Sequence, residues 1–150
     1  MRGIRLTMAA LAVGLAGTFA SGHASAADAT APDLTGVWIC AYKTLRWNGG
    51  AEGVVQFRVV EQDGPNLKVE KSWKLEAGAT LGDVHGELLT EAVEPLIGVI
   101  GFDGRDVYFA EEGDGGLYTG RLADPNTLEL VYVEAGVQAT AYRTVLKRAK

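Results

Sequence analysis

The sequence predicts a single all-β domain, an eight-stranded antiparallel up-and-down barrel. The first observation is that short runs of alternating polar and apolar residues follow one another along the chain after residue 33. The second is that turn residues separate these runs, with Asp63-Gly64 and Asp103-Gly104 as Asp-Gly pairs typical of hairpins. Closing eight such strands into a barrel removes the exposed sheet edges. The interior of such a barrel is filled by side chains or holds one small ligand.

Eight runs carry the strand pattern, and they are Gly36–Leu45, Gly53–Glu61, Leu67–Leu75, Leu96–Phe102, Asp106–Glu111, Leu117–Leu122, Thr127–Glu134 and Val137–Lys147. The segment Ala77–Pro95 between the third and fourth runs is irregular. Its apolar residues fit one or two turns of an amphipathic helix, and they fit an extra strand as well. Pro95 ends the segment in either case.

The first 26 residues have the pattern of an export signal. A positively charged start precedes the apolar run Leu6–Ala20, and the small residues Ala24-Ser25-Ala26 have the spacing that signal peptidase recognises. The apolar run is too short to anchor the chain in a bilayer. We therefore expect cleavage near Ala26, a flexible leader over residues 27–33, a barrel domain over residues 34–150, and a soluble protein in the periplasm or secreted.

Charge and cysteine content exclude several classes of function. The chain has 14 basic and 19 acidic residues, and loss of the two arginines in the signal leaves 12 against 19, a net charge of −7. An acidic surface argues against nucleic acid and anionic membranes as partners, because both require basic patches. The chain has one cysteine, Cys40, so it forms no internal disulfide. Cys40 stands between two apolar residues, and we expect it to be a small core residue.

Alternation along the strands predicts which side chains point into the barrel. The predicted inward residues are Trp38, Cys40 and Tyr42 on the first strand, Val55, Phe57 and Val59 on the second, Leu67, Val69, Lys71, Trp73 and Leu75 on the third, Leu128, Leu130 and Tyr132 on the seventh, and Val137, Ala139, Ala141, Arg143 and Val145 on the last.

The Gly36-Val37-Trp38 motif at the start of the first strand, with an inward arginine near the end of the last, resembles the calycin pattern of lipocalins and avidins. The arginine that fits is Arg143, with Arg148 as the second choice. The resemblance implies that this arginine packs across Trp38 as a structural latch and closes one end of the barrel. It also implies a cup for a small molecule.

The chain departs from each calycin group in some respect. It lacks the disulfides and the further motif of lipocalins. Biotin sites of the avidin type need several tryptophans, and only Trp38, Trp47 and Trp73 are present. The fold also occurs in small secreted metalloprotease inhibitors that use an N-terminal plug. The leader over residues 27–33 fits that role, although those inhibitors have a disulfide that this chain lacks.

The predicted ligand site centres on Lys71, a charged residue on an apolar strand face. A buried charge needs a partner. Lys71 either extends out of the barrel, pairs with an acid such as Glu61, or anchors a carboxylate-bearing ligand. In the last case Lys71→Met abolishes binding of an anionic ligand. The aromatic residues expected to line this site are Tyr42, Phe57, Trp73, Tyr108, Tyr118 and Tyr132.

Catalytic side chains are scarce. After the predicted cleavage point, Ser72, His85 and Cys40 are the single serine, histidine and cysteine, with no Gly-x-Ser-x-Gly turn. A zinc site with several His or Cys ligands cannot be assembled in one chain. The acidic stretch Glu111–Gly115 is expected to be a solvated turn. Carboxylate catalysis requires two acids held close together near the barrel opening.

The sequence therefore predicts a non-catalytic barrel without metal or cofactor that binds a small amphiphilic or apolar ligand. The alternative is an envelope protein-interaction module, such as a protease inhibitor, with a solid core. A cup needs a cavity lined by the inward aromatic residues, whereas an interaction module needs an exposed apolar patch.

Overall fold

A computed structural model describes residues 31–43, 45–46, 52–77, 79–82, 88–113, 115–136 and 139–150. It confirms the predicted fold, a closed eight-stranded up-and-down barrel in which all neighbouring strands are antiparallel. The barrel strands are β1 (Gly36–Lys43), β2 (Glu52–Asp63), β3 (Asn66–Leu75), β4 (Glu91–Ile100), β5 (Asp106–Glu111), β6 (Leu117–Asp124), β7 (Thr127–Glu134) and β8 (Thr140–Arg148).

Each barrel strand pairs with the next in the chain, and β8 pairs with β1 to close the barrel. The two-residue strand Leu45–Arg46 pairs with the start of β8, and Leu81–Gly82 pairs with Leu88–Leu89 as a separate short ribbon. Among the described residues there is no helix long and apolar enough to cross a membrane.

Strand β4 starts five residues earlier than the fourth predicted run and passes through Pro95. The structure therefore favours the strand interpretation for the end of the segment Ala77–Pro95. A proline is tolerated here because the β4–β5 ladder begins only at the pair Leu96–Glu111. The Pro95 carbonyl still accepts a hydrogen bond from the Glu112 amide at 3.0 Å. Pro95 has no N–H to donate. The nitrogen lies on the same side of the strand as the carbonyl, just beyond the end of the β4–β5 ladder, so no hydrogen bond of that ladder is lost.

The interior faces of four strands agree with the predicted alternation. The buried or half-buried residues there are Trp38 and Cys40 on β1, Val55, Phe57 and Val59 on β2, Leu67, Val69, Lys71, Trp73 and Leu75 on β3, and Leu128, Leu130 and Tyr132 on β7. The side chain of Tyr42 and residue Val137 lie outside the part of the chain that the structure describes.

The predicted interior face of β8 is wrong by one residue. Ala139, Ala141, Arg143 and Val145 were expected inside, but the inward side chains are Thr140, Tyr142, Thr144 and Leu146. Polar side chains are accommodated inside because they have partners there: Thr144 Oγ1 lies 2.6 Å from Cys40 Sγ. The outward face carries apolar residues instead, with Val145 48% exposed. Hydrophobicity therefore pointed to the wrong face of this strand.

One end of the barrel is closed by Trp38, whose side chain is fully buried. Its indole Nε1 donates a hydrogen bond to the Leu34 carbonyl at 2.9 Å. The guanidinium of Arg148, not that of Arg143, lies over the indole at 4.3 Å from the ring centroid. Arg143 is exposed because it lies on the outward face of β8. Gly36 has φ of 109°, a conformation that favours glycine at this position of the Gly-x-Trp motif.

The last residues of the predicted leader are held against this closed end. Arg148 donates hydrogen bonds to the carbonyls of Thr35 and Asp33, both at 2.7 Å. The Gln62 amide group donates to the Pro32 carbonyl at 2.8 Å, and Leu34 is buried. The predicted signal peptide and the start of the leader, residues 27–30, lie outside the described residues.

Arg148→Ala tests the latch, with Arg143→Ala as the matched control. Loss of the Arg148 side chain removes two short hydrogen bonds and the contact with Trp38, so we expect the free energy of unfolding to fall by about 1–3 kcal/mol. Arg143→Ala is expected to change it by no more than about 0.5 kcal/mol, because the side chain is exposed. Urea unfolding measures both values. Equal losses in the two variants would contradict the assignment of Arg148 as the latch.

Candidate ligand-binding site

Lys71 is the centre of a buried ion-pair group inside the barrel. It lies on β3 directly opposite Glu94 on β4. Its ammonium group contacts the carboxylates of both Glu94 and Glu111. The side chains of Lys71 and Glu111 are 6% and 0% exposed, whereas that of Glu94 is 23% exposed. One ammonium therefore contacts two carboxylates, and Glu94 is the more exposed of the two residues although its Oε2 is buried.

Hydrogen bonds from aromatic residues extend this group. The Tyr132 hydroxyl donates to Glu111 Oε2 at 2.8 Å, and the Trp73 indole donates to Glu94 Oε1 at 2.8 Å. The Tyr118 hydroxyl lies 2.8 Å from that of Tyr142, and either can donate. We call these residues the polar cluster, and its members are Lys71, Trp73, Glu94, Glu111, Tyr118, Tyr132 and Tyr142.

Strand parity and one glycine place Glu111 inside the barrel. Val107 and Phe109 are buried on β5, so Glu111, the last residue of the strand, points the same way. Gly116 leaves room for this carboxylate, because a Cβ at Gly116 would overlap both the Glu111 carboxylate and the Tyr132 hydroxyl. Glycine at this position thus keeps the two side chains in hydrogen-bond contact.

Burial shifts the acid–base properties of the polar cluster. Desolvation raises the pKa of Glu111 to about 7, although the neighbouring Lys71 ammonium opposes the shift. Burial also raises the pKa of Tyr118 and of Tyr132 well above the usual value for tyrosine, so both remain protonated hydrogen-bond donors. The polar cluster therefore combines donors with a carboxyl group that changes charge near neutral pH.

The polar cluster lies toward the end of the barrel where β3, β5 and β7 finish. Apolar side chains such as Trp38, Leu128 and Leu146 fill the other end. Between the two ends the Phe57 ring packs edge-on against Tyr118, with centroids 5.1 Å apart. Trp73, Glu94 and Tyr142 in the polar cluster are only partly buried. These three side chains are the part of the cluster that is partly exposed to solvent.

The structure brings together most of the predicted site residues, namely Phe57, Lys71, Trp73, Tyr118 and Tyr132. It excludes Tyr108 from the interior, because this side chain lies on the outer wall and is 44% exposed. The expected partner Glu61 instead pairs with Lys68 on the outside, at 2.6 Å. Lys71 does pair with acids, but they are Glu94 and Glu111. Whether these residues bind a ligand stays a prediction.

The sequence reasoning missed Glu94, Glu111 and Tyr142. Glu94 was missed because the fourth strand was predicted to begin at Leu96, whereas β4 begins at Glu91. Tyr142 was missed because the wrong face of β8 was predicted to point inward. Glu111 was placed in a solvated acidic turn, although the buried residues Val107 and Phe109 share its parity. The signal available in the sequence was the apolar pair Val107 and Phe109. Because alternate residues of a strand share a face, this pair places Glu111 inside and Tyr108 outside.

The described residues contain few groups suited to catalysis. Ser72 lies on the polar face of β3 and is partly buried. Cys40 is a free cysteine, and burial raises the pKa of its thiol. His85 lies outside the described residues. Within the described ranges, no group of three or more His, Cys, Asp or Glu side chains is placed to hold a metal ion.

Comparisons with known proteins identify the fold alone. No family model matches the chain, and no curated protein matches it. A solved structure described as EF1p2_mFAP2b bound to DFHBI superposes with a TM-score of 0.51 at 10% identity, covering 77% of this chain and 94% of that one. A de novo designed fluorescence-activating β-barrel has a TM-score of 0.42 at 10% identity, covering 77% of this chain and 93% of the design.

Glu111→Gln tests the buried carboxyl through the pH dependence of stability. The pKa of Glu111 is about 7 in the folded chain, against an ordinary value of 4.5. The folded state therefore holds an extra proton between these values, and its stability falls as pH rises through that window, by at most about 1.4 kcal/mol per pH unit. We expect urea unfolding between pH 5 and 8 to show this fall in the parent protein and a flatter profile in Glu111→Gln.

The control for this measurement is Glu70→Gln, which removes the same formal charge from the exposed outer wall. Its stability profile is expected to follow that of the parent protein. Parallel profiles for the parent and Glu111→Gln would contradict the raised pKa of Glu111.

Proposed function

We propose that this chain is an exported, non-catalytic β-barrel that binds a small amphiphilic molecule at the end of the barrel that contains the polar cluster. Export to the periplasm or the exterior rests on the signal-like pattern of the first 26 residues. The calycin-like architecture rests on the Gly36-Val37-Trp38 motif together with the Arg148 latch over Trp38. The architecture supports a binding role but does not define the ligand.

The polar cluster is the observation that carries the proposal. A barrel with a solid core would be filled most simply by apolar side chains, because burying ion pairs rarely adds stability. Here a lysine, two carboxylates and three tyrosine hydroxyls lie together at one end of the interior. Polar groups of this kind fix the orientation of a ligand whose remaining surface contacts aromatic rings.

The charge of the polar cluster favours a ligand that is neutral or cationic at its polar end. One of the three alternatives for Lys71 was that it anchors a carboxylate-bearing ligand, but Glu94 and Glu111 already occupy its ammonium group. An anionic ligand would have to displace a carboxylate and leave that charge unpaired, which is costly inside a protein. A hydroxyl, amide or amine can instead donate to the partly exposed Glu94.

The same ion pairs argue against carboxylate catalysis. Glu94 and Glu111 meet the requirement that two acids lie close together, since both contact one ammonium. A general base or a nucleophile must reach the reacting atoms with its carboxylate. Lys71 engages both acids, so we assign them to binding.

The second candidate is an envelope protein-interaction module such as a protease inhibitor. It is favoured by a separate observation, the apolar outer wall of the barrel. Ile97, Leu117 and Val133 on this wall are 56%, 54% and 52% exposed. An exposed apolar patch is the feature that marks a surface for a macromolecular partner.

Native mass spectrometry of protein exported to a periplasm and purified gently tests the proposed function. We expect the native mass to exceed the denatured mass by that of a bound small molecule. Trp73→Ala is expected to weaken binding of that co-purified molecule by about tenfold or more, because a ring in contact with the ligand is lost. Tyr108→Ala on the outer wall is the control and is expected to retain it. Equal native and denatured masses would favour the interaction module.

A further inference from the structure

The outer wall formed by β6 and β7 carries three cross-strand pairs of exposed residues. The register places Leu117 opposite Val133, Thr119 opposite Val131, and Arg121 opposite Glu129. Leu117, Val131 and Val133 are 54%, 42% and 52% exposed, and the other three side chains are exposed as well. This surface, which we call the β6–β7 wall, therefore offers an apolar area with a charged pair at one side.

The charges of the β6–β7 wall are not engaged in ion pairs. Arg121 and Glu129 lie on neighbouring strands directly opposite each other. No ion pair in the described part of the chain includes either of them. By contrast, the outer faces of β2 and β3 carry paired charges, such as Arg58 with Glu70 at 3.8 Å. Within the described ranges, the β6–β7 wall thus has both an apolar surface and two charges that lie outside the ion pairs. Arg121 also lies opposite Asp106 on β5. Backbone hydrogen bonds lower the pKa of the exposed Asp103, and the charge of Arg121 adds to that effect.

From this pattern we propose that the β6–β7 wall binds a second copy of the chain in a two-fold symmetric dimer. A symmetric interface requires one surface that is complementary to itself. The two-fold axis is parallel to the strands, lies midway between the two packed walls and follows the line between β6 and β7. It therefore places β6 of one copy over β7 of the other. Each residue then faces the second copy's equivalent of its own cross-strand neighbour.

Two of the three pairs are complementary under this symmetry, and the third places Thr119 opposite the second copy's Val131. Arg121 faces the second copy's Glu129 and forms two symmetric ion pairs across the interface. Leu117 faces the second copy's Val133, so apolar surface is removed from water on both sides. Two sheets packed in this way keep their strands within about 30° of each other.

A second copy fits this wall better than an unrelated partner of a single charge. The chain carries a net charge of −5, so most surfaces of two copies repel each other. The β6–β7 wall carries one positive and one negative side chain in register, and therefore balances its own charge. An acidic or a basic partner would satisfy only one of these two side chains.

Sedimentation velocity of the purified chain at concentrations from about 5 to 200 µM tests the dimer. We expect a concentration-dependent dimer, weakened about 100-fold by Arg121→Glu or by Glu129→Arg, because each places like charges opposite each other twice. The double variant R121E/E129R is expected to restore the affinity of the parent protein. Val133→Ser is expected to weaken the dimer about tenfold by removing apolar contact.

The control is Arg58→Glu, an equal charge reversal on the outer face of β2, away from the β6–β7 wall. It is expected to leave the dimer unchanged. Circular dichroism on each variant checks that the barrel remains folded. A parent protein that is monomeric over the whole range would overturn the proposal. It would also be overturned by single variants that dimerise normally, or by a double variant that fails to recover. The result is independent of whether the barrel binds a ligand.

Discussion

The burial of one ammonium group constrains the structure at the end of the barrel that contains the polar cluster. Lys71 is almost fully buried, and an unpaired ammonium in an apolar interior would cost several kcal/mol. Glu94 neutralises it from the adjacent strand and Glu111 from the next one, so three strands are tied together by charge. A shift of one residue in any of these pairings would turn a charged side chain to the other face of the sheet. The ion pairs thereby help to fix the register of β3, β4 and β5.

The same region of the barrel has an unusual distribution of polarity. Tyr132 on β7 lies inside with its hydroxyl on Glu111, while Val131 and Val133 on either side of it point to solvent. On β8, Thr144 is inside and Val145 is outside. Polar groups inside need partners, and apolar groups outside remain exposed to water. Both features are costly for a barrel that only has to fold.

Much of the fold could be predicted from the sequence, because turns and alternation are local signals. The eight strands and the inward faces of β2 and β3 follow from them directly. The inward face of β8 could not be predicted from hydrophobicity, since its polar side chains are satisfied by contacts across the barrel, such as that of Thr144 with Cys40. The partners of Lys71 could not be predicted either, because they depend on which strands become neighbours.

The polar cluster and the β6–β7 wall share the backbone of β6 and β7, because successive residues of a strand point to opposite faces. Tyr118 in the polar cluster lies between Leu117 and Thr119 of the outer wall, and Tyr132 lies between Val131 and Val133. A second copy held on the outer wall would therefore contact the same backbone that positions two tyrosines inside. The alternation that places the polar cluster inside and an apolar wall outside thus makes both surfaces depend on the same two strands.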